Sequence, residues 1–367
     1  MSIHKINEKP IGSESSPLAV GLSLQQDMYD LAETILTSRA VRSFDNNSTR
    51  YPIHREVRCA AKRKMVPIFD DLATQTGLSA MRMEEGKLLL DGPGVFVQAR
   101  GWPKIDYCSC EFNIWADSVT RVDTVKENLL SAVGEYMDRG KMFTLDWHFL
   151  NGRSGLVSTS FDEVASDPIH DESYPSLGCG VAEFVERYLN ATETVLVLQG
   201  PPGTGKTRLV RAILAGMSAR KGDTAKVMYT ADKNALEKDE LFVDFITGSH
   251  DAFVIEDADH LLKARSSGNH DLHRFLAIAD GVVRAQGRKI IFTTNLPNIT
   301  DIDDALLRPG RCFASICTRM LSKDEAIALA LKLSSHELQG QDRIDRHFQS
   351  GNRSISVANV YQSVLSV

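Results

Sequence analysis

The chain has 367 residues, of which 43% are hydrophobic and 25% charged, a composition typical of a folded globular protein with two or three domains. Its formal net charge of -6 excludes a generic electrostatic attraction to nucleic acid or to anionic lipid. The cysteines form no C-x-x-C pair, and no apolar run approaches the roughly 18 residues that span a bilayer, so a reducing, cytoplasmic location and no membrane segment are expected.

The first 165 residues contain a polar tail and a region of mixed helices and strands. Residues 1–20 are predicted to be a mobile tail. Apolar and polar periodicity then predicts, in order, a helix at 23–40, strands at 87–90, 95–98 and 107–115, a helix at 122–137, and strands at 142–150 and 156–161. This pattern indicates an α+β domain over 21–165, which we interpret as the part that binds a partner or substrate.

Two features of this domain leave alternatives open. The stretch 39–64 is rich in Arg and Lys and suits a nucleic acid or an acidic partner, but a solvated basic face is favoured because no aromatic residues alternate with the charges. Cys108 and Cys110 share one face of a strand, where they suit a metal or redox role, although two buried core thiols are favoured.

A glycine-rich loop follows a linker at 166–178 and an amphipathic helix that begins near 181. An apolar run at 194–198 precedes the loop and a helical pattern follows it, which is the context that a phosphate-binding loop requires. Glycine backbone and a helix amino terminus suit phosphate oxygens, so ATP is the expected ligand. The predicted ATP-binding residues are Gly200, Pro201, Pro202, Gly203, Thr204, Gly205, Lys206, Thr207 and Arg208. Lys206 is expected to reach the phosphates and Thr207 to ligate Mg²⁺.

Two later strands end in polar residues that suit nucleotide chemistry. The run 252–255 ends in Glu256 and Asp257, of which one is expected to hold Mg²⁺ and the other to polarise the attacking water. The run 289–294 ends in Asn295, which is expected to hydrogen-bond the water or the γ-phosphate. His270 and His273 have a spacing that suits zinc, but a structural or solvated pair is favoured.

Arginines and helices complete the chain. Arg308 and Arg311 flank a Pro-Gly turn and are expected to reach the phosphates of a neighbouring subunit, because guanidinium groups stay charged and bond phosphate oxygens in pairs. A capping box at 322–325 predicts a helix to about 334, and two further helices are predicted near 343–350 and 355–366. Residues 321–367 therefore form an expected helical lid.

The succession of motifs from about 170 to 367 resembles the AAA ATPases. The resemblance rests on the glycine-rich loop, Phe253–Asp257, Asp280-Gly281, Thr293–Asn295 and Ala305–Arg311. It implies a P-loop three-layer αβα module over 179–320 with a small helical lid, ATP and Mg²⁺ as ligands, and a homo-oligomeric ring, most often a hexamer.

The resemblance also implies roles for the site residues. Glu256 is the metal-side carboxylate and Asp257 the catalytic one, Asn295 is a polar sensor, and Arg308 and Arg311 are fingers that act in trans. Most AAA proteins have Asp before Glu at the acidic pair, and the order in this chain is similar to that in the branch that inserts the Rieske iron–sulfur subunit in mitochondria. The segment 231–240 has neither the aromatic residue nor the glycine by which many AAA unfoldases grip a strand.

The expected function is that of an ATP-hydrolysing ring which remodels or moves a protein held by the amino-terminal domain. Two alternatives remain open: a nucleic-acid-associated AAA switch, for which the basic stretch is the support, and a nucleotide-gated scaffold with low turnover.

Overall fold

The computed structural model describes residues 53–84, 86–104, 107–134, 142–152, 155–165, 168–263, 272–279, 287–334 and 337–365. The chain divides into two compact units, Met1–Asp138 and Arg139–Val367. The predicted tail at 1–20, the predicted helix at 23–40, His270 and the Asp280-Gly281 pair lie outside the described residues.

The first unit is built on a five-stranded antiparallel sheet with the order β1-β5-β4-β3-β2. Its strands are β1 (Ile53–Ala61), β2 (Ser79–Glu84), β3 (Lys87–Gly92), β4 (Val95–Pro103) and β5 (Cys108–Ala116). Its helices are α1 (Met65–Gln75) and α2 (Val119–Val133). Both helices bury apolar residues, among them Phe69 and Leu129, in one core with the sheet. The predicted α+β character of this region is confirmed, and β1, α1 and β2 are elements that the sequence patterns did not identify.

Three cysteines lie together in this core. Cys59 and Cys110 are directly opposite each other on β1 and β5, and the Sγ atoms of Cys108 and Cys110 are 3.8 Å apart. All three thiols are free and buried. Among the residues that the structure describes, no group of three or more His, Cys, Asp and Glu side chains could hold a metal ion. The burial of Cys108 and Cys110 among apolar side chains agrees with the favoured interpretation of both as core thiols.

The second unit contains a seven-stranded sheet with the order β12-β8-β11-β10-β9-β6-β7. Its strands are β6 (Met142–Asn151), β7 (Gly155–Val164), β8 (Val195–Gln199), β9 (Ala225–Thr230), β10 (Ala252–Ile255), β11 (Lys289–Thr294) and β12 (Cys312–Cys317). All pairs from β12 to β6 are parallel, and β7 pairs antiparallel with β6. The carboxyl ends of β8, β9, β10 and β11 therefore meet at one edge of the sheet.

Helices cover both faces of this sheet. They are α3 (Val181–Asn190), α4 (Lys206–Lys221), α5 (Lys233–Leu236), α6 (Asp239–Thr247), α7 (Asp259–Leu262) and α8 (Leu272–Ala279). One core contains Phe184 of α3 and Ile213 of α4, and the other contains Phe245 of α6 and Phe275 of α8. Strands β8 and β10 are buried throughout, as apolar runs covered on both faces must be. The predicted three-layer αβα module is confirmed.

The structure differs from the expected domain boundaries at two places. Strands β6 and β7, which the sequence analysis assigned to the amino-terminal domain, belong to the second sheet, where β6 pairs in parallel with β9. Local periodicity predicts a strand but not the sheet that it joins, because the pairing partner is distant in the chain. The expected linker at 166–178 includes Tyr174, which is 2% exposed and packs in the core that contains α3 and α4.

Three helices at the carboxyl end form a small bundle. They are α9 (Lys323–Leu333), α10 (Glu337–Gln349) and α11 (Val357–Leu365). Leu329, Ile344 and Val360, one from each helix, lie in a separate hydrophobic core. The predicted capping box is confirmed, because the Ser322 side chain accepts from the Glu325 amide and the Glu325 side chain accepts from the Ser322 amide. The expected helical lid is thus a bundle with its own core.

A prediction of pH-dependent stability follows from Glu325. Arg319 donates two hydrogen bonds to its carboxylate, at 2.8 and 2.6 Å, and this contact lowers the pKa of Glu325 from 4.5 to about 2. Because the folded-state pKa is lower than the unfolded one, the carboxylate stabilises the fold above pH 4.5, and this contribution is lost as the pH falls toward 2. We expect Glu325→Gln to lower the free energy of unfolding near neutral pH by about 1 kcal/mol or less, since both side chains are partly exposed.

Urea unfolding of the variant and the parent protein at several pH values measures this effect. The difference between them should shrink as the medium is acidified below the usual pKa of a glutamate. Glu237→Gln, which replaces an exposed carboxylate, serves as the control. An equal loss of stability at neutral and acidic pH would contradict the assigned ion pair.

Candidate functional site

The loop between β8 and α4 has a backbone that requires glycine. Gly200 and Gly205 have φ angles of 148° and 91°, which side chains rarely adopt. A Cβ atom on Gly200 would also lie 2.1 Å from the carbonyl oxygen of Thr318. The loop therefore keeps its backbone close to its neighbours and ends at the amino terminus of α4, where free N–H groups suit an anion.

Lys206 is buried at the centre of this loop, with 9% of its surface exposed. Its Nζ donates to the carbonyl oxygens of Gly200 and Pro201, at 2.6 and 3.1 Å, and to Asn295 Oδ1 at 2.9 Å. Burial lowers the pKa of Lys206, and the nearby carboxylates, led by Asp257, oppose this shift. The ammonium group is thus partly desolvated and bonded to the backbone of the loop, where a phosphate oxygen would replace a carbonyl as its partner.

Thr207 and Glu256, the two predicted metal ligands, lie in contact. The Thr207 hydroxyl donates to Glu256 Oε1 at 2.7 Å, and the Tyr229 hydroxyl donates to Glu256 Oε2 at 2.9 Å. Burial and the charge of Glu256 raise the pKa of Tyr229, so its hydroxyl keeps its proton. A hydroxyl and one carboxylate are oxygen donors of the kind that Mg²⁺ takes together with substrate phosphates and water.

Asp257 and Asn295 stand beside this pair. Asp257 has a φ of 49°, and among the described residues it is the one non-glycine residue with positive φ. Its amide donates to Thr293 Oγ1 at 3.1 Å, and its Oδ1 accepts from Asn295 Nδ2 at 2.9 Å. Such a left-handed conformation costs of order 1–3 kcal/mol and persists only where the surroundings hold it. Asp257, Asn295 and Lys206 thus form one hydrogen-bonded chain along the carboxyl edge of the sheet.

The two predicted arginine fingers lie elsewhere. Arg308 is exposed, and Arg311, which is half-buried, donates to the carbonyl oxygen of Ala305 at 2.7 Å. The Arg311 carbonyl accepts from the amide of Val195, the first residue of β8, so this turn lies at the amino edge of the sheet. The glycine-rich loop follows the other end of β8, about 15 Å away for a five-residue strand. The structure therefore does not bring Arg308 and Arg311 to the loop of the same chain.

Comparison with known proteins agrees with this geometry. Residues 196–320, which include the loop, the acidic pair, Asn295 and both arginines, match the family model of the ATPase family associated with various cellular activities (AAA). Residues 196–320 are therefore similar to an AAA ATPase domain.

Several curated proteins are similar to about half of this chain. The chain is 27% identical over 218 residues to a vesicle-fusing ATPase of Caenorhabditis elegans, covering 53% of this chain and 25% of that protein. It is 31% identical over 229 residues to AAA-ATPase At3g50940 of Arabidopsis thaliana, covering 56% of this chain and 47% of that protein. It is 25% identical over 219 residues to peroxisomal ATPase PEX6 of Dictyostelium discoideum, covering 56% of this chain and 17% of that protein. The chain spans less than half the length of each of these relatives.

Sequence reasoning missed several residues that contact the glycine-rich loop. The Tyr174 hydroxyl donates to the Gly205 carbonyl at 3.0 Å, and the Thr318 hydroxyl lies 2.7 Å from that of Thr204. The amide of Ala358, near the start of α11, donates to the Gly203 carbonyl at 2.9 Å. Isolated hydroxyls and a backbone amide give no sequence signal, because their partners come from distant segments.

Two further residues near the glycine-rich loop have contacts that the sequence did not predict. The predicted ligand Arg208 lies over the ring of Tyr361 in α11, 4.0 Å from its centroid, so the structure directs it toward the lid. Asp259, to which the sequence analysis gave no role, accepts from the amide of Asn295 at 2.8 Å and fixes that residue.

The described arginines of the basic stretch form ion pairs within the first unit. Ion pairs join Arg55 to Asp123 at 3.0 Å and Arg63 to Asp71 at 2.6 Å. These cations are therefore balanced by carboxylates of their own unit. Among the described residues, no helix has both the length and the apolar character needed to cross a bilayer.

Proposed function

We propose that the chain hydrolyses ATP as a ring of identical subunits and uses the reaction to remodel or move a protein held by its first unit. The observation that carries this proposal is the group of Lys206, Thr207, Glu256, Asp257 and Asn295, whose side chains are linked by hydrogen bonds along one sheet edge beside the glycine-rich loop.

The proposed roles follow from the chemistry of each group. Backbone amides of the loop and the Lys206 ammonium bind the phosphates of ATP, with Lys206 exchanging the Gly200 carbonyl for a phosphate oxygen. Thr207 and Glu256 hold Mg²⁺, which neutralises charge on the phosphates when it is bound. Asp257 accepts a hydrogen bond from the attacking water, and Asn295 orients Asp257 through its amide.

The geometry of Asp257 supports its proposed role as the catalytic carboxylate. Its side chain is exposed at the sheet edge, unlike Lys206, and its strained backbone is held by Thr293 and Asn295. A carboxylate held at a fixed angle and open to solvent is suited to orient a water molecule, whereas the Glu256 carboxylate is already engaged by two hydroxyls.

We expect Asp257→Asn to bind ATP with the affinity of the parent protein and to turn it over about 100-fold more slowly, because the amide cannot polarise water as a carboxylate does. Asparagine retains an Oδ1 acceptor for Asn295 and tolerates a positive φ, so the fold should persist. Steady-state phosphate release and equilibrium binding of a fluorescent ATP analogue measure the two effects.

Asp244→Asn, which replaces an exposed carboxylate of α6, is the matched control and should leave both quantities unchanged. Parental turnover in Asp257→Asn would contradict the role of Asp257 and with it the proposed hydrolytic site.

The position of Arg308 and Arg311 supports a ring. Since both lie at the amino edge of the sheet, a contact with γ-phosphate requires the edge of one copy to face the loop of the next. Such a head-to-tail interface closes into a ring when the rotation between copies allows it, and a hexamer is the size that we propose.

We propose that the molecule which the ring remodels or moves is a protein and not a nucleic acid. Three arginines of the basic stretch, Arg55, Arg58 and Arg63, are paired with carboxylates, which weakens the case for a phosphate-binding surface. The segment 231–240 is mostly helical in α5 and α6, and its Ala235 and Leu236 are buried, so we propose that the partner is moved through the first unit and not gripped by this segment. We also propose that, among AAA proteins, the module is nearest to the Rieske-assembly branch. The support for this is that Glu256 precedes Asp257 in the acidic pair.

A further inference from the structure

Two hydroxyl groups from different elements hold the Glu256 carboxylate. Thr207 lies in the first turn of α4 and donates to Oε1 at 2.7 Å. Tyr229 lies near the end of β9 and donates to Oε2 at 2.9 Å. Each oxygen of the carboxylate therefore has its own donor, and the plane of the carboxylate is fixed.

The two hydroxyls differ in what happens when nucleotide binds. The proposed function assigns the Thr207 oxygen to Mg²⁺, and a Thr207 hydroxyl that held the ion would no longer donate to Glu256 Oε1. Tyr229 contacts the opposite oxygen, and its donation to Oε2 is compatible with metal at Oε1. Tyr229 is thus the donor that can hold the carboxylate throughout the reaction.

A glutamate at this position needs such a donor. Glutamate has one more rotatable bond than aspartate, and ordering a long side chain of this type costs up to about 2 kcal/mol of conformational entropy. Donors that bond the second oxygen of a metal ligand fix its orientation and raise its affinity for metal.

We propose that Tyr229 is a positioning residue that holds Glu256 so that Oε1 is presented to Mg²⁺. This inference rests on the proposed function, specifically on the assignment of Glu256 as the metal-side carboxylate.

Tyr229 also contacts the hairpin of β6 and β7, through a neighbouring aromatic side chain. Trp147 of β6 is the cross-strand partner of Tyr229, and their rings meet edge to face with centroids 5.9 Å apart. The Trp147 ring centroid is also 6.4 Å from those of Phe149 and Phe161, so two further aromatic side chains of the hairpin pack against the ring that contacts Tyr229. The hairpin precedes residues 196–320 and so lies outside the residues that match the AAA family model. It nevertheless packs against Tyr229, which contacts the proposed metal ligand Glu256.

The experiment measures how strongly nucleotide binding depends on Mg²⁺. Binding of a fluorescent ATP analogue is titrated in Mg²⁺ and in EDTA, and the Mg²⁺ concentration for half-maximal ATP hydrolysis is measured at saturating ATP. We expect Tyr229→Phe, which removes only the hydroxyl, to raise the required Mg²⁺ concentration about 10-fold and to leave affinity in EDTA unchanged. Trp147→Leu, at a side chain that is 42% exposed, should shift Mg²⁺ dependence in the same direction by a smaller factor.

Two reference variants separate the possible outcomes. Tyr188→Phe removes a buried hydroxyl from the same unit, one that donates to the carbonyls of Thr194 and Ile290, and it should leave Mg²⁺ dependence unchanged. If Tyr188→Phe shifts it as much as Tyr229→Phe does, Tyr229 acts only through stability and the inference fails. If Glu256→Gln raises the required Mg²⁺ concentration while Tyr229→Phe does not, the inference fails and the proposed function stands. If Glu256→Gln has no effect either, the assignment of Glu256 in the proposed function is itself wrong.

Discussion

Lys206→Ala should abolish ATP turnover and raise the Kd for ATP by roughly 100-fold or more, since removing one partner of a buried, hydrogen-bonded charge pair costs about 2–5 kcal/mol. The Lys206 ammonium is buried and already desolvated, so little of its attraction for phosphate is lost to water. Isothermal titration with ATP and a coupled ATPase assay measure the two losses.

The variant should fold. The Lys206 side chain bonds the carbonyls of a loop whose Pro201, Pro202 and Gly203 are exposed, so water can replace the ammonium at that side. Lys233→Ala, at an exposed lysine of α5, is the matched control and should bind and hydrolyse ATP as the parent protein does. Tight ATP binding by Lys206→Ala, with its circular dichroism unchanged, would show that the loop is not the phosphate site.

Arg308→Ala should leave ATP affinity unchanged and lower kcat by about 1,000-fold, because a guanidinium supplied to the γ-phosphate stabilises charge that develops only in the transition state. Arg308 is the better of the two arginines for this test. It is exposed, whereas Arg311 bonds the Ala305 carbonyl and its removal would disturb the turn.

Mixing variants tests whether the arginine acts on a neighbour. Lys206→Ala keeps its arginines and Arg308→Ala keeps its loop, so a mixed ring contains interfaces at which an intact loop meets an intact arginine. We therefore expect two inactive proteins to regain ATPase activity when they are mixed. Lys206→Ala mixed with Asp257→Asn is the control, because both defects lie on the loop side of the interface and no intact site can form. A mixture of Lys206→Ala and Arg308→Ala that stays inactive, although the two proteins co-assemble, would contradict action in trans.

The sequence predicts those site residues that directly follow an apolar strand in the chain. The glycine-rich loop, the pair Glu256-Asp257 and Asn295 each follow an apolar strand directly, and parallel strands bring their carboxyl ends to one edge. The sequence therefore predicts both the residues and their proximity. The same reasoning places the capping box of α9, since its two residues are one helical turn apart.

The parts that the sequence does not predict depend on distant pairing. Tyr229 sits in an ordinary strand pattern, and its contact with Glu256 requires β9 and β10 to be neighbours in register. Tyr174 lies in a segment rich in polar residues, and only the packed structure shows that its ring is buried and its hydroxyl reaches the loop. The sequence analysis included β6 and β7 in the amino-terminal domain, because alternation along a strand does not show which sheet the strand joins.

The hairpin also determines where the ATPase module can be cut from the chain. Strand β6 satisfies the outer N–H and C=O groups of β9, and β7 in turn covers β6. A fragment that began at residue 179, the expected start of the αβα module, would leave β9 as an unpaired edge strand and favour aggregation through intermolecular strand pairing. A fragment that starts before Met142 keeps that edge closed and retains Trp147 beside Tyr229, so the smallest self-sufficient enzyme is longer than its motifs suggest.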